Sequence, residues 1–264
     1  MILSIGIYDS GVGGLTVLQE IRRILPNESV IYVGDTARIP YGAKDADTLF
    51  SYGKEIVRFL LDKGAKIIVL ACGTTSSTIF ERLQAEFPTT TFVDVIRPGV
   101  IACAKMAEEN PHLRWGFIAT SATIRSGLFV QMLKTQSKNE NIVIHARPCP
   151  LFAPMAEAGI NEPHFAFNFA TETYLGDLRN QIDTLVLGCT HYPLFNFKPI
   201  LGDINYINLA TYVAKATKEH IKNISSSSEN ATIKLYSSSA PETFAKAVRI
   251  IICEDLPVEL ITLC

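Results

Sequence analysis

The 264-residue sequence has no basic excess: 24 Lys and Arg face 26 Asp and Glu, a net charge of -2. Neutralising a phosphate backbone needs a surplus of cations, so nucleic acid is not the expected partner. There is no run of the roughly 20 apolar residues that a membrane span requires; the longest apolar runs have strand length. The opening MILSIGIYDSG has neither the basic start nor the apolar stretch of a secretory signal. A cytoplasmic protein with free thiols is therefore expected. None of the six cysteines, at 72, 103, 149, 189, 253 and 264, forms a C-x-x-C pair, so a zinc ribbon or thioredoxin-like motif is missing. An intracellular chain of this size folds without disulfides. Charged residues amount to 19%, which argues against a disordered or solvating acidic chain. With 48% hydrophobic side chains, the chain can bury one sizeable core or two smaller ones. Its polarity suits a small soluble ligand.

Short β-branched runs alternate with longer amphipathic ones. Residues 4–8, 29–33, 67–70 and 91–95 read as buried strands. Between them, residues 46–62 place Leu49, Phe50, Ile56, Val57, Leu60 and Leu61 at helical spacing, with Lys54, Glu55 and Arg58 off that stripe. Strands are expected again at 115–119, 142–146 and 184–187, and helices at 127–134, 163–178 and 209–224. The tail adds a strand at 233–236, a helix at 241–251 and a strand near 258–262. Such alternation implies βαβ units and parallel sheets. The four serines at 225–228 read as a solvated loop.

One internal echo stands out. Residues 67–74 read IIVLACGT and residues 184–191 read TLVLGCTH. Each is an apolar strand, a small residue, a cysteine and a nearby threonine, with a helix expected next. In open parallel sheets the ligand crevice lies beyond the carboxyl ends of the strands. The echo implies two similar α/β halves, each offering one thiol to a shared cleft. A free cysteine is usually a small buried hydrophobe, and that reading is taken for Cys103, Cys149, Cys253 and Cys264. For Cys72 and Cys189 a strand-end position entering a helix favours thiolate through the helix dipole.

A thiol pair admits three chemistries. A metal site needs more ligands, and only His191 stands nearby. A single nucleophile leaves the second cysteine unexplained. Two opposed acid–base groups remove a proton from one face of a carbon and return it on the other, which is racemisation or epimerisation. Only this last option matches the symmetry of the echo. Asp9-Ser10-Gly11-Val12-Gly13-Gly14 follows the first strand but lacks full G-x-G-x-x-G spacing, since position 16 is threonine. A carboxylate at Asp9 would repel a pyrophosphate and suits an ammonium or a thiol proton; the plainer reading of Asp9 and Ser10 is a helix cap or Asx turn. Backbone N–H groups after Cys72 and around Thr190 can hold a substrate carboxylate.

At this point the sequence resembles glutamate racemase, within the aspartate/glutamate racemase superfamily. IGIYDSGVGGLTVLQEI resembles the family's opening block, and VGDTARIPYG at 33–42, LACGTTSS at 70–77, IATSATIRSG at 118–127, CPLFAPMAEAG at 149–159 and LVLGCTHYPL at 185–194 follow in order. YSSSAPETF resembles the C-terminal region. The resemblance implies an α/β fold of two pseudo-symmetric domains, each with a central mostly parallel sheet flanked by helices, with the active site in the cleft between them. The first domain would take residues 1–97 plus 210–264, the second 98–209. It implies cofactor-independent interconversion of L- and D-glutamate, without pyridoxal phosphate or metal, supplying D-glutamate for peptidoglycan. Cys72 would remove the α-proton of D-glutamate and Cys189 that of L-glutamate. Asp9 would assist Cys72; His191 and Glu157 would assist Cys189. Ser10, Tyr41, Gly42, Gly73 (through its backbone), Thr74 and Thr190 would bind substrate, with Asp9 and His191 beside them. The family often forms dimers, so a homodimer is the assembly to test; no nucleic-acid or membrane partner is expected.

Two departures qualify the resemblance. Gly73 stands where the family usually carries asparagine, and loss of a side-chain amide there would cost about 1–3 kcal/mol, or ~10–100-fold in rate. The segment INLATYVAKAT at 207–217 lacks an aspartate common in the family. Arg97 either favours anions near the cleft or sits outside it. Two alternatives therefore stand beside glutamate racemisation: a related racemase or epimerase for another amino acid, and a protein that binds glutamate without turnover.

Overall fold

The computed structural model describes residues 4–139, 141–222 and 231–263. Cys264 and the serine tract lie outside them. Among the described residues ten strands form two sheets, every pairing parallel. The first contains β1 (Ser4–Asp9), β2 (Ser29–Gly34), β3 (Ala65–Leu70) and β4 (Thr91–Asp94). The second contains β5 (Trp115–Ala119), β6 (Ile144–Pro148), β7 (Thr184–Leu187) and β8 (Asn205–Asn208). The chain then returns to the first sheet with β9 (Ile233–Ser237) and β10 (Val258–Leu260). The strand orders are β10-β9-β2-β1-β3-β4 and β6-β5-β7-β8. Without the two tail strands the first order, β2-β1-β3-β4, is the second order repeated. The echo at the two cysteines is thus the visible part of a repeated four-strand topology.

Side chains along β3 alternate between two cores, as a period of two requires. Ile67 and Val69 face one cluster, Ile68 and Leu70 another. The cluster containing Ile67 and Val69 also takes in Trp115, Phe117, Val186 and Ile207 of the second sheet, with helix residues such as Val17, Val100, Phe129 and Val213. One continuous apolar core therefore joins the halves. The outer faces close separately, the second under Phe152, Phe167, Phe195 and Phe197. No helix among the described residues is long and apolar enough to cross a membrane.

The differences from the sequence expectation are local. β8, with sequence NYIN, was not anticipated: it is an edge strand with one buried residue, Ile207, and so carries little apolar signal. The expected helix 163–178 is an α-helix, Phe165–Leu175, ending in a 3-10 turn, Gly176–Leu178. The helix expected after the second cysteine is a single 3-10 turn, Tyr192–Leu194, followed by Lys198–Leu201. Pro199 bars one continuous helix across this segment, since proline withholds a backbone donor and clashes with the preceding turn. Cys253 is not a buried hydrophobe. It is exposed and caps the helix Pro241–Ile252 with a φ of 61°.

That tail helix is tied to the first sheet by Phe244, which is buried with its ring 5.7 Å from Tyr32. Phe244→Ala should therefore lower the unfolding free energy by about 3–5 kcal/mol in urea titration.

Candidate active site

In each sheet the chain order reverses beside the central strand: between β1 and β3 in the first, between β5 and β7 in the second. Ligand crevices in open parallel sheets form at such reversals, beyond the strand ends. Asp9 ends β1, and Cys72 follows β3. Thr120 follows β5, and Cys189 follows β7. The two crevices face each other and merge into one cavity of about 230 Å³. That is below the roughly 300–1,000 Å³ of sites for drug-sized ligands and fits a small metabolite. Ser10, Tyr41, Gly42, Cys72, Gly73, Thr74, Glu157, Cys189, Thr190 and His191 all line it. Asp9 does not. It is fully buried behind the lining, where its Oδ2 accepts from the Gly11 N–H at 2.9 Å and its Oδ1 has no hydrogen-bond partner among the described residues.

The two thiols have unlike surroundings. Cys72 caps the six-residue helix Gly73–Thr78. Burial pushes its thiol up, and the nearby Asp9 charge adds to this; hydrogen bonding to Ser10 and Thr75 returns only part. Burial thus opposes the pull toward thiolate expected from the helix terminus at Cys72. Asp9 is itself raised, by burial, against the pull of His191 and the N–H groups of Gly11 and Gly14. On the other side, Cys189 Sγ lies 3.7 Å from His191 Nδ1, and His191 Nε2 lies 3.2 Å from Glu157 Oε1. The second contact is close but angled away from a proper hydrogen bond. Burial alone would lower the His191 pKa. Cys189, Glu157 and Asp9 outweigh it and carry the imidazole to about 10.

Neighbouring groups hold the lining in place. Thr16 Oγ1 donates to the Thr190 carbonyl at 2.9 Å, so the first half grips the second cysteine turn. Gly13 allows this approach: a β-carbon there would fall 2.4 Å from Thr190 Oγ1 and 2.5 Å from His191 Nδ1. The Tyr41 hydroxyl points away from the cavity. It donates to Asp35 Oδ2 at 2.5 Å and accepts from the Tyr8 hydroxyl at 3.1 Å. Arg38 Nε donates to the same Asp35 oxygen at 2.6 Å. Asp35 and Tyr8 were not singled out from the sequence. Neither was Thr120, which lines the cavity and shares a 3.0 Å hydrogen bond with Thr74 across the two halves. A signal for Thr120 existed: aligning Gly6 of GIYDS with Gly116 of GFIAT sets Thr120 opposite Ser10. Arg97 sits outside the cavity, paired with Glu81 at 2.6 Å and Asp94 at 3.4 Å. Among the described residues, no three His, Cys, Asp or Glu side chains cluster as a metal site would require.

The Asp/Glu/Hydantoin racemase family model matches residues 13–204. The chain belongs to that family. Its relatives include the glutamate racemase of Aquifex aeolicus, 38% identical over 96% of each chain. That of Geobacter metallireducens is 44% identical over 76% of this chain and 71% of its own. Among solved structures, the glutamate racemase of Francisella tularensis in complex with D-glutamate superposes with a TM-score of 0.87. It is 30% identical over 98% of this chain and 97% of its own. The racemase family is thus matched in fold as well as in sequence, across both sheets.

The raised His191 pKa has a measurable sign. The folded value of about 10 lies above the ordinary 6.5. Protonated His191 therefore stabilises the fold fully below about pH 6.5, and this contribution is lost as pH rises through about 10. Histidine NMR should find this ring cationic at neutral pH, and Cys189→Ala should move its titration down. A neutral ring at pH 7 in the unmodified protein would contradict the assignment.

Proposed function

We propose that the protein racemises glutamate without a cofactor, using Cys72 and Cys189 as opposed acid and base. The observation that carries this reading is the convergence of both cysteine turns, from the two sheets, on one small cavity. The near-full-length similarity to glutamate racemases supports the substrate. The domains follow the sheets, residues 1–97 with 210–264 and residues 98–209. The protein acts in the cytoplasm and supplies D-glutamate for peptidoglycan.

In the L-to-D direction the Cys189 thiolate takes the α-proton, and the electron pair left on the α-carbon spreads into the substrate carboxylate. The Cys72 thiol then delivers its proton to the opposite face. D-glutamate leaves behind a Cys189 thiol and a Cys72 thiolate, the state that starts the reverse direction. His191, held by Glu157, assists Cys189 from 3.7 Å. Asp9 serves Cys72. Burial raises its carboxyl above the ordinary carboxylate range, which favours a protonated form able to pass a proton toward the sulfur. Backbone N–H groups at Gly73 and Thr190, with the hydroxyls of Ser10 and Thr74, bind the carboxylates and ammonium. Tyr41 and Gly42 close one wall. A carbanion is a poor leaving state for so weak an acid, so a water-poor site that strengthens each hydrogen bond is needed.

L-glutamate incubated with the protein should lose its circular dichroism signal toward zero. Cys72→Ser and Cys189→Ser should each slow this by ~10²–10⁴-fold, the usual worth of a general acid or base. In D2O the product enantiomer should carry deuterium while unreacted substrate keeps protium, because each face has its own base. Equal early labelling of both would point to one base. An unchanged signal at high protein concentration would remove glutamate as the substrate. A homodimer is the proposed assembly. Light scattering should give twice the 29.1 kDa chain mass, and a monomer at working concentration would reject it.

A further inference from the structure

Gly73, immediately after Cys72, lies against the turn that carries Cys189. A β-carbon at position 73 would fall 2.6 Å from the Gly188 carbonyl oxygen, with Thr123 Oγ1 next at 3.5 Å. Real β-carbons do not approach a backbone oxygen so closely, so one side must move. The Gly188 side is fixed. Its N–H donates to the Ile118 carbonyl at 2.8 Å, and its own missing β-carbon would lie 2.3 Å from the Phe117 ring, itself buried. The Cys72 side is braced too, by Ser76, whose N–H and hydroxyl bond the Cys72 and Leu70 carbonyls. Little beyond the gap between the two cysteine turns is left to give.

We propose that position 73 is the spacer of the catalytic cleft: glycine there sets how near the two thiols come to one carbon. The inference rests on the two-thiol reading above. It reverses the expected meaning of this residue. Glycine at 73 is then no mere loss of an amide, since an asparagine would bring a β-carbon that this packing has no room for. A wedge at this point would also stretch the Thr74–Thr120 hydrogen bond, made by the next residue and itself a tie between the halves. Proton transfer to carbon is steep in distance, and a misplacement near 1 Å costs ~10²-fold. Both thiols would lose reach together.

The test compares wild type, Gly73→Ala and Gly73→Asn in both directions, with ordinary and α-deuterated glutamate. Both variants should lower kcat by ~10–100-fold with KM little changed and melting temperature near wild type. The α-deuterium isotope effect on kcat should rise, because the proton-transfer step has become slower. A general packing defect would leave that isotope effect where it was. Wild-type kcat in Gly73→Ala, or a faster Gly73→Asn, overturns the spacer. If neither variant folds, a crystal structure of wild type with D-glutamate decides: an ideal β-carbon built at 73 should fall within 3.4 Å of Gly188 O, and a larger gap overturns the proposal. A wild-type protein with no racemase activity fails the functional reading instead. An active wild type with an equally active alanine variant fails only the spacer.

Discussion

The structure depends on bringing two strand ends from separate sheets to one small cavity. Each sheet supplies a crevice at the point where its strand order reverses, and each crevice carries a cysteine on its far strand. The distance between them is set by packing. One apolar core spans both sheets, and the remaining gap is closed by contacts that tolerate no extra atom: Gly13 on His191 and Thr190, and Gly73 on Gly188. Interiors are packed densely enough that such contacts transmit displacement instead of absorbing it. The chemistry is therefore a property of the whole two-sheet core, although only a handful of side chains touch the cavity.

The repeat is symmetric in topology and asymmetric in charge. The strand-end carboxylate Asp9 beside Cys72 has Ala119 as its counterpart in the second sheet. What the second half lacks there it supplies from another place, with His191 two residues past Cys189 and Glu157 at the end of the helix Phe152–Glu157. One thiol thus faces a buried carboxyl and the other a cation. Burial and the Asp9 charge raise the Cys72 thiol, whereas Cys189 lies beside the raised imidazole of His191. A pair of acid–base groups doing opposite jobs needs such a difference, because two equivalent thiols would share one protonation state.

Much of this was legible in the sequence, and the limits have physical reasons. Buried parallel strands such as β1, β3 and β7 announce themselves by continuous apolar runs, and the cysteine turns by their repetition. β8 did not, because an edge strand with one buried residue has no such run. Every proposed site residue but Asp9 proved to line the cavity, and Asp9 lies just behind it. The burial of Cys72 was not visible in the sequence. A helix terminus is local, whereas the burial that raises this thiol is a tertiary property. Asp35, Tyr8 and Thr120 were also missed. Tyr8 and Thr120 bond partners distant in sequence, Tyr41 and Thr74, and no local spacing rule encodes such a contact, although the internal alignment offered Thr120 as the counterpart of Ser10. Asp35 lies close in sequence to Arg38 and Tyr41 but carries no motif of its own.

Burial therefore works in two directions in this cleft. It raises Cys72 and Asp9, which holds back the charged forms that a base must reach. The same exclusion of water strengthens every hydrogen bond that would steady a carbanion. A thiol exposed to solvent would ionise more readily but would face a substrate whose α-proton stays out of reach. In the proposed mechanism a compensating group stands by each sulfur: Asp9 behind Cys72, and the His191–Glu157 pair beside Cys189. Neither compensates unless the thiols are already close, and that returns the problem to the packing between the two turns.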